Sequence, residues 1–329
     1  MNSPLADRKL PGMQRALDGD YMLPVLSEIL ERANGPVALS HIRTELLKYV
    51  PGKRGVIAYH LAFSDHSASA RVVYGKLYRK TRGQEVFSTL HALWQTSQAR
   101  HSAFTLPQPL AYLPELGMVL QTAAAGRVLT SFSQPDELFC AVQAAAKSLA
   151  ALHHLPLHLG AIKTFQEHVA KYCHPGPEVL AREHPEFAPL LFELIAMMSA
   201  DESLQTAAPC PLHGDINLAQ IFITPERAVF IDFDGFCRSH AALDVGNFLV
   251  TLAERFGEKS GELRHGFLEA YLAAAATTQL PALRTYQAFA YLRRAVISLR
   301  LQDETARQTR VLRLLQNAQT LMHTKDELL

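Results

Sequence analysis

Apolar and polar positions alternate in the first third of the chain in the way that β-strands require. The stretches RTELLKYV and GVIAYHLAF flank the turn Pro51–Gly55, which predicts a β-hairpin, and ARVVYGKLYR predicts a third strand with Lys76 near its end. Val86, Leu90 and Leu93 then recur at helical spacing, which predicts a helix with one buried face. We therefore expect a small antiparallel sheet with one helix in this part of the chain.

The pattern changes to a mainly helical one after Gly126. A stripe of apolar residues at helical spacing runs through 133–155, and helical periodicity continues from Val245 to the end. Two strand-like runs interrupt the helices at 220–233. The resulting prediction is an α+β protein with a tail over residues 1–20, a β-rich N-terminal lobe over 21–121 and a helical C-terminal lobe over 122–329.

Composition narrows the class of protein without naming a function. A chain of 329 residues with 48% hydrophobic residues is long enough for two lobes, and a net charge of +1 gives no reason to expect a nucleic-acid or membrane partner. The four cysteines form no CxxC, no HExxH is present, and no segment is apolar enough to span a bilayer. These features predict a cytoplasmic globular protein, and they do not indicate its oligomeric state.

Two short motifs bring carboxylates next to strand-like segments. Asp215 lies in PLHGDINLAQIF, and Asp232 and Asp234 lie in AVFIDFDG, 17 and 19 residues further on. Phosphoryl transfer needs one group that positions the attacking hydroxyl and a cation that neutralises the phosphate oxygens, and carboxylates suit both tasks. An isolated turn aspartate that bonds its own backbone is an equally good interpretation of Asp215 taken alone.

The N-terminal lobe offers cationic candidates for binding a phosphate. Lys76 lies on a strand that is followed by a helix carrying Glu85, an arrangement in which the glutamate could hold the lysine toward nucleotide phosphates. The turn around Lys53 and Arg54 could also cover phosphates. The alternatives are a solvent-facing strand lysine, a glutamate favoured by the helix dipole, and a plain exposed hairpin turn.

The paired motifs HGDINLAQIF and VFIDFDG resemble the catalytic loop and metal-binding segment of the aminoglycoside phosphotransferase and choline kinase group, which has a protein-kinase-like fold. The resemblance spans roughly residues 38–300. It implies ATP and Mg²⁺ as cofactors, a nucleotide-binding N-terminal lobe and a small hydroxylated metabolite as acceptor. It further implies Asp215 as the catalytic aspartate and Asp232 as a metal ligand, with Asp234 contacting either a second metal or none. Lys76 is implied as the phosphate-binding lysine, with Glu85 as its partner.

The resemblance also assigns supporting roles and has two departures. His213 braces the catalytic loop, and Asp244 supports it from downstream, although an N-cap role fits Asp244 equally well. The family has an asparagine as metal ligand five residues after the catalytic aspartate, where this chain has Gln220, one methylene longer. No GxGxxG precedes Lys76, so Lys53 and Arg54 are the candidates for covering the phosphates.

Three functional hypotheses follow from these residues. The leading one is an ATP- and Mg²⁺-dependent phosphotransferase acting on a small-molecule hydroxyl. The second is a non-catalytic nucleotide- or metabolite-binding protein of the same fold, which Gln220 favours. The third, a metallohydrolase using His213, is disfavoured because no other histidines cluster at suitable spacing. Residues 281–329 hold eight Lys or Arg and four Asp or Glu, which weighs against a polycationic acceptor.

Overall fold

The chain forms two compact units that match the predicted α+β organisation. The computed structural model describes residues 7–36, 38–64, 71–99, 103–206 and 208–324. One unit comprises Met1–Gly126 with Val229–Ile231, and the other comprises Arg127–Ala228 with Asp232–Leu329. The first is rich in strands and the second is mainly helical. Among the described residues, no helix is both long and apolar enough to cross a membrane.

In the part of the chain that the structure describes, the first unit contains three α-helices and six strands. In chain order they are α1 (Met13–Leu17), α2 (Gly19–Asn34), β1 (Leu39–Val50), β2 (Arg54–Phe63), β3 (Arg71–Tyr78), α3 (Arg82–Ala99), β4 (Phe104–Thr105), β5 (Pro109–Leu113) and β6 (Met118–Thr122).

A five-stranded antiparallel sheet with the order β1-β2-β3-β6-β5 forms the centre of this unit. The predicted hairpin is confirmed, with Val50 opposite Arg54 at its turn. Lys76 lies on the middle strand, β3, between Val56 of β2 and Val119 of β6. The residues flanking it on β3 are buried and Lys76 itself is half-buried, because successive side chains of a strand point to opposite faces.

The prediction of a tail over residues 1–20 is wrong for the part that the structure describes. Leu10, Met13 and Ala16 are fully buried and join the hydrophobic core of the sheet. The side chain of Asp18 accepts hydrogen bonds from two amides of the first turn of α2 and so caps that helix. A helix of five residues has too short a hydrophobic pattern to be recognised in the sequence. Residues 1–6 lie outside the described residues.

A second correction concerns residues 229–231, which the sequence places in the C-terminal lobe. In the structure Val229–Ile231 belongs to the first unit. Val229 and Phe230 are buried, and the ring of Phe230 stacks on that of Phe104 with 5.7 Å between centroids. This apolar contact is between residues far apart in the chain, so local periodicity could not reveal it.

The second unit contains the remaining elements. They are β7 (Arg127–Val128), α4 (Pro135–His153), α5 (Phe165–Tyr172), α6 (Pro177–Glu183), α7 (Ala188–Ser199), β8 (Cys210–Leu212), β9 (Ile221–Ile223), β10 (Ala228–Phe230, whose last two residues belong to the first unit), β11 (Cys237–Ser239), α8 (Ala242–Phe256), α9 (Ser260–Ala274), α10 (Leu283–Ile297) and α11 (Glu304–His323).

Helix packing in the second unit depends on close backbone approaches. Helix α8 packs against α10, α4 against α9, and α10 against α11. At the contact of α8 and α10, Gly246 lies so close to the facing helix that a Cβ would stand 2.9 Å from both the Gln287 nitrogen and the Tyr286 carbonyl carbon. Only glycine fits this position without moving one of the two backbones.

We expect Gly246→Ala to lower the free energy of unfolding by about 1–3 kcal/mol, because the added methyl group would overpack a backbone contact. Gly261→Ala in α9 is the matched control, since a Cβ there meets nothing within 4 Å. The control should be neutral or stabilise by about 0.4–1 kcal/mol. Urea denaturation of both variants measures the difference, and equal effects would show that the α8–α10 contact tolerates a side chain.

Candidate active site

A short antiparallel pair of strands brings the two carboxylate motifs to one place. Strands β8 and β11 pair with Leu212 opposite Cys237. The segment 213–215 follows β8 directly, and the segment 232–236 directly precedes β11. Because the strands are antiparallel, both segments leave the pair at the same end. The β8–β11 pair therefore brings the Asp215 and Asp232 segments to one place.

The two turns contact each other through glycine backbones. Gly214 has a φ of 83°, in the left-handed region that favours glycine, and a Cβ at this position would overlap the carbonyl oxygen of Gly235. A Cβ at Gly235 would stand 3.0 Å from the His213 oxygen and 3.2 Å from the Asp215 nitrogen. Glycine is therefore needed at both positions for the His213–Asp215 turn and the Asp232–Gly235 turn to approach this closely.

The side chain of Asp244 fixes the turn that contains His213 and Gly214. This side chain is 1% exposed. It accepts the backbone N–H of His213 at 2.7 Å and that of Gly214 at 2.9 Å. Ala241, and not Asp244, occupies the N-cap position of α8. The loop-supporting role is therefore the one that this structure contains.

A histidine and a tyrosine complete the surroundings of the Asp244 carboxylate. His153 Nε2 donates to Asp244 Oδ2 at 3.2 Å, and the Tyr271 hydroxyl lies 2.7 Å from His153 Nδ1. Burial pushes the pKa of Asp244 upward, but the hydrogen bond and charge of His153, the charge of His213 and the Gly214 amide outweigh it, so the pKa lies below its usual 3.8. Asp244 is thus an ionised group with a fixed set of donors.

A second anchor holds the residue after Asp215. Asn247, one turn after Asp244 on α8, donates from Nδ2 to the Ile216 carbonyl oxygen at 2.7 Å. Its own Oδ1 accepts from Arg294 Nη1 at 3.1 Å, and Arg294 also donates to Thr251 at 2.7 Å. Helix α8 therefore fixes the loop on both sides of Asp215.

Asp215 itself pairs with an arginine of α10. Arg293 Nη2 donates to Asp215 Oδ1 at 2.6 Å, and the guanidinium lies 4.8 Å from the centre of the Tyr172 ring. The Asp215 side chain is 43% exposed and that of Arg293 19%. Among the described residues, Asp215 Oδ2 has no hydrogen-bond partner. The contact fixes the orientation of the carboxylate and leaves one oxygen available to a ligand.

The predicted metal ligands lie on or beside the second turn. Asp232 has the left-handed conformation, with φ 68° and ψ 56°, and Asp234 lies in the short 3₁₀ turn that follows. Such a backbone is costly for a residue with a Cβ, and strained residues of this kind concentrate at functional sites. Gln220 is buried, and its Oε1 accepts the Asn217 N–H at 3.0 Å as half of a reciprocal capping box. One lone pair of the Gln220 oxygen is thus occupied, and its metal contact stays a prediction.

The oxygen donors of Asp232 and Asp234 fit a magnesium ion that is also held by phosphates and water. They do not fit a metal that is coordinated by protein side chains alone. No group of three or more His, Cys, Asp or Glu in the described ranges could hold a metal ion. Mg²⁺ is usually held by one or two carboxylates together with substrate phosphates and water, and Asp232 and Asp234 supply two hard oxygen donors. A hydrolytic centre built on His213 is not supported, because its ring is fully buried against Phe233, 4.7 Å between centroids.

The first unit places the predicted nucleotide-binding residues on its sheet and its third helix. Lys76 lies on the middle strand with its ammonium group 5.4 Å from the centre of the Tyr78 ring. Glu85, in the first turn of α3, is 61% exposed and bonds Arg82 at 3.0 Å within the same helix. The ion pair of Glu85 in this structure is therefore with Arg82, and its predicted pairing with Lys76 stays a prediction.

The turn between β1 and β2 binds a carboxylate of its own chain. Gly52 donates its N–H to Asp7 Oδ2 at 2.6 Å, and Tyr49 donates to the same oxygen at 3.0 Å. The Gly52 amide lowers the pKa of Asp7 below its usual range. This amide is therefore not offered to a phosphate in the described conformation. Lys53 is exposed and Arg54 half-buried, and a phosphate role for both remains a prediction.

Several residues of the site carry no recognisable signal in the sequence. Arg293 of α10 and Asn247 of α8 reach the loop from 31 or more positions further along the chain, and His153 of α4 bonds Asp244, which holds the loop. In the sequence, Asn247 and Arg293 are ordinary polar positions in helices with one apolar face. Only the packing of the helices shows which of their polar residues point at Asp215 and its neighbours.

A strand-rich unit, a mainly helical unit and an Asp215 loop held by Asp244 and Asn247 are the features of a protein-kinase-like fold. The chain belongs to the Phosphotransferase enzyme family, whose model matches residues 77–289. No functionally curated protein matches the sequence significantly.

Solved structures show the same fold at low sequence identity. A choline kinase from Cryptosporidium parvum superposes with a TM-score of 0.62 at 12% identity, covering 91% of this chain and 96% of that chain. A macrolide 2'-phosphotransferase from Brachybacterium faecium gives 0.55 at 16% identity, with 93% and 100% covered. The ADP-bound aminoglycoside phosphotransferase APH(2'')-Ib gives 0.54 at 13% identity, with 90% and 99% covered. At these identities the similarity establishes the fold and leaves the acceptor open.

We expect Asp244→Asn to lower the free energy of unfolding at pH 7 by about 3 kcal/mol, because it breaks a buried charged contact. Since the pKa of Asp244 is depressed, its contribution is present above the unfolded value of 3.8 and is lost as the pH falls through the folded value. The difference between wild type and variant should thus be full at pH 7 and 5 and shrink below pH 4.

Urea denaturation at pH 7, at pH 5 and below pH 4 measures the difference in the free energy of unfolding. Asp303→Asn is the control, because Asp303 caps α11 at the surface and asparagine caps equally well. A deficit of Asp244→Asn that does not depend on pH would mean that shape, and not the ionised carboxylate, holds the loop.

Proposed function

We propose that the protein transfers the γ-phosphate of ATP to a hydroxyl group of a small molecule in a magnesium-dependent reaction. One observation carries the proposal: the Asp215 loop and the Asp232–Gly235 turn leave the β8–β11 pair together and contact each other through Gly214 and Gly235. This arrangement supports phosphoryl transfer, which needs a group that positions the acceptor hydroxyl and oxygen donors that hold a cation against the phosphate charge. Family membership supports the same reaction class.

In the proposed reaction Asp215 orients the acceptor. The acceptor hydroxyl donates to Asp215 Oδ2 while Arg293 holds Oδ1, and this directs an oxygen lone pair at the γ-phosphorus. The new bond joins the acceptor oxygen to phosphorus, the bond to the bridging oxygen of ADP breaks, and the hydroxyl proton passes to Asp215. Products are ADP and the phosphate ester.

The other predicted residues would neutralise the negative charge of the nucleotide phosphates. Asp232 and Asp234 would hold Mg²⁺, which neutralises phosphate charge when bound. Lys76, and with it Lys53 and Arg54, would contact the nucleotide phosphates from the first unit. Support for a nucleotide comes from the ADP carried by the similarly folded aminoglycoside phosphotransferase.

A non-catalytic nucleotide- or metabolite-binding protein is the second candidate. The observation that favours it is the Gln220 side chain, whose oxygen is engaged by the Asn217 amide in a capping box. If that bond persists when nucleotide binds, the magnesium site has two protein carboxylates and no amide. The phosphotransferase should show magnesium-dependent turnover, and the non-catalytic protein should show none, so a turnover assay with and without Mg²⁺ separates the two candidates.

Asp215→Asn should lower turnover by about two to four orders of magnitude, because asparagine cannot take up the hydroxyl proton. The measurement is ADP release from Mg·ATP with a panel of small alcohols and with water alone. Circular dichroism and thermal unfolding check that the variant is folded, and since Asp215 is 43% exposed we expect little loss of stability. Wild-type turnover in a folded variant would remove Asp215 from the reaction.

Magnesium titration of three variants tests the metal ligands. Asp232→Ala should abolish magnesium-dependent nucleotide binding, because it removes a carboxylate ligand. Gln220→Ala should raise the magnesium concentration for half-maximal turnover by a smaller factor, because a neutral amide contributes less charge stabilisation. Asn217→Ala is the matched control, since it removes the other half of the same capping box without touching the Gln220 side chain. Equal magnesium shifts in Gln220→Ala and Asn217→Ala would show that Gln220 acts as a cap only.

A further inference from the structure

Two cationic side chains lie at the contact between the Asp215 loop and the Asp232–Gly235 turn. Arg293 pairs with it at 2.6 Å, and Lys171 of α5 donates to the Gly235 carbonyl oxygen at 3.3 Å, beside the same turn contact. Both cations lie over one aromatic ring, with Arg293 4.8 Å and Lys171 4.7 Å from the centre of Tyr172. Two cations thus border the position where the acceptor hydroxyl must bind.

The Arg293 guanidinium has donors to spare. Of its five N–H groups, one bonds Asp215, and the others have no hydrogen-bond partner among the described residues. The side chain is 19% exposed, so a ligand can reach it. Its planar group matches the two oxygens of a carboxylate or phosphate, which an ammonium group does not.

Arg293 is also fixed in place by its neighbour on α10. Arg294 is half-buried and donates to Asn247, Thr251 and the Ala290 carbonyl, and these bonds lock the rotation of the helix. The direction of Arg293 toward Asp215 follows from that rotation. A cation held in this way is pre-organised for a ligand, because little side-chain freedom remains to be lost on binding.

Tyr172 adds one more unused donor. Its hydroxyl is buried without a hydrogen-bond partner among the described residues. Burial raises its pKa, so the group keeps its proton and acts as a donor. It lines a cavity of about 10 Å³ together with Gly214, Asn247 and Arg293, which is room for one water molecule or one ligand oxygen.

We infer that the acceptor carries an anionic group, a carboxylate or a phosphate, close to the hydroxyl that is phosphorylated, and that Arg293 binds this group. The inference rests on the proposed function and specifies its substrate class. Spare donors on Arg293 and Tyr172 bind its oxygens. A cationic acceptor, with an amine or quaternary ammonium group near its hydroxyl, would meet the positively charged Arg293 guanidinium at this place.

The first test finds the charge class of the acceptor directly. A cellular small-molecule extract is separated by ion exchange into anionic, neutral and cationic pools, and each is incubated with the full chain, Mg²⁺ and γ-labelled ATP. We expect labelled product from the anionic pool. Label from the neutral or cationic pool alone would overturn the inference and leave the proposed phosphotransfer standing. No label and no ADP release with any pool would overturn both.

The second test uses the acceptor so isolated and separates recognition from positioning of Asp215. Arg293→Gln should raise the KM for the acceptor about 10- to 100-fold, the loss expected for a hydrogen bond to a charged group, and leave the KM for ATP unchanged. Esterifying the anionic group should raise the KM of the wild-type enzyme for the acceptor by the same factor. It should change the KM of Arg293→Gln little, because esterification and the substitution remove the same interaction.

Arg300→Gln is the control, since Arg300 lies beyond the same helix, is exposed and bonds the His174 carbonyl. It should behave as wild type. If Arg293 only positions Asp215, Arg293→Gln would lower kcat and esterification would cost wild type and variant equally. That result would overturn the inference.

Discussion

The buried carboxylate of Asp244 is the constraint on which the rest of the site depends. An ionised group removed from water is costly unless it is paired and fully hydrogen-bonded. Asp244 meets this requirement with the N–H groups of His213 and Gly214 and with the ring of His153. Two of the three donors are loop amides, so the conformation that satisfies the charge is also the conformation that presents Asp215.

The same constraint reaches the second turn through close backbone contact. Once Asp244 fixes Gly214, the absence of a Cβ there and at Gly235 lets the two turns touch, and the β8–β11 pairing holds their ends. A displacement of either turn would separate Asp215 from Asp232. The spacing between the Asp215 and Asp232 segments is thus set by glycine backbones and one strand pair.

Much of the fold and the centre of the site could be predicted because their signals are local. Alternation predicted the β1–β2 hairpin, and the motifs around Asp215 and Asp232 carry the family's residue types at fixed spacing. The errors have one physical origin, which is tertiary contact. The tail prediction missed helix α1 because Leu10, Met13 and Ala16 show their role only when packed on the sheet. The position of Val229–Ile231 depends on Phe230 meeting Phe104.

Arg293 and Arg294 show most clearly why part of the site cannot be deduced from sequence. They are the same residue at adjacent helix positions, about 100° apart around the axis. Arg294 turns inward, where its bonds to Asn247 and Thr251 join α10 to α8, and burial lowers its pKa to about 10. Arg293 faces Asp215 and keeps unused donors. Arg294 joins two helices and Arg293 contacts Asp215, and only the rotation of one helix decides which arginine does which.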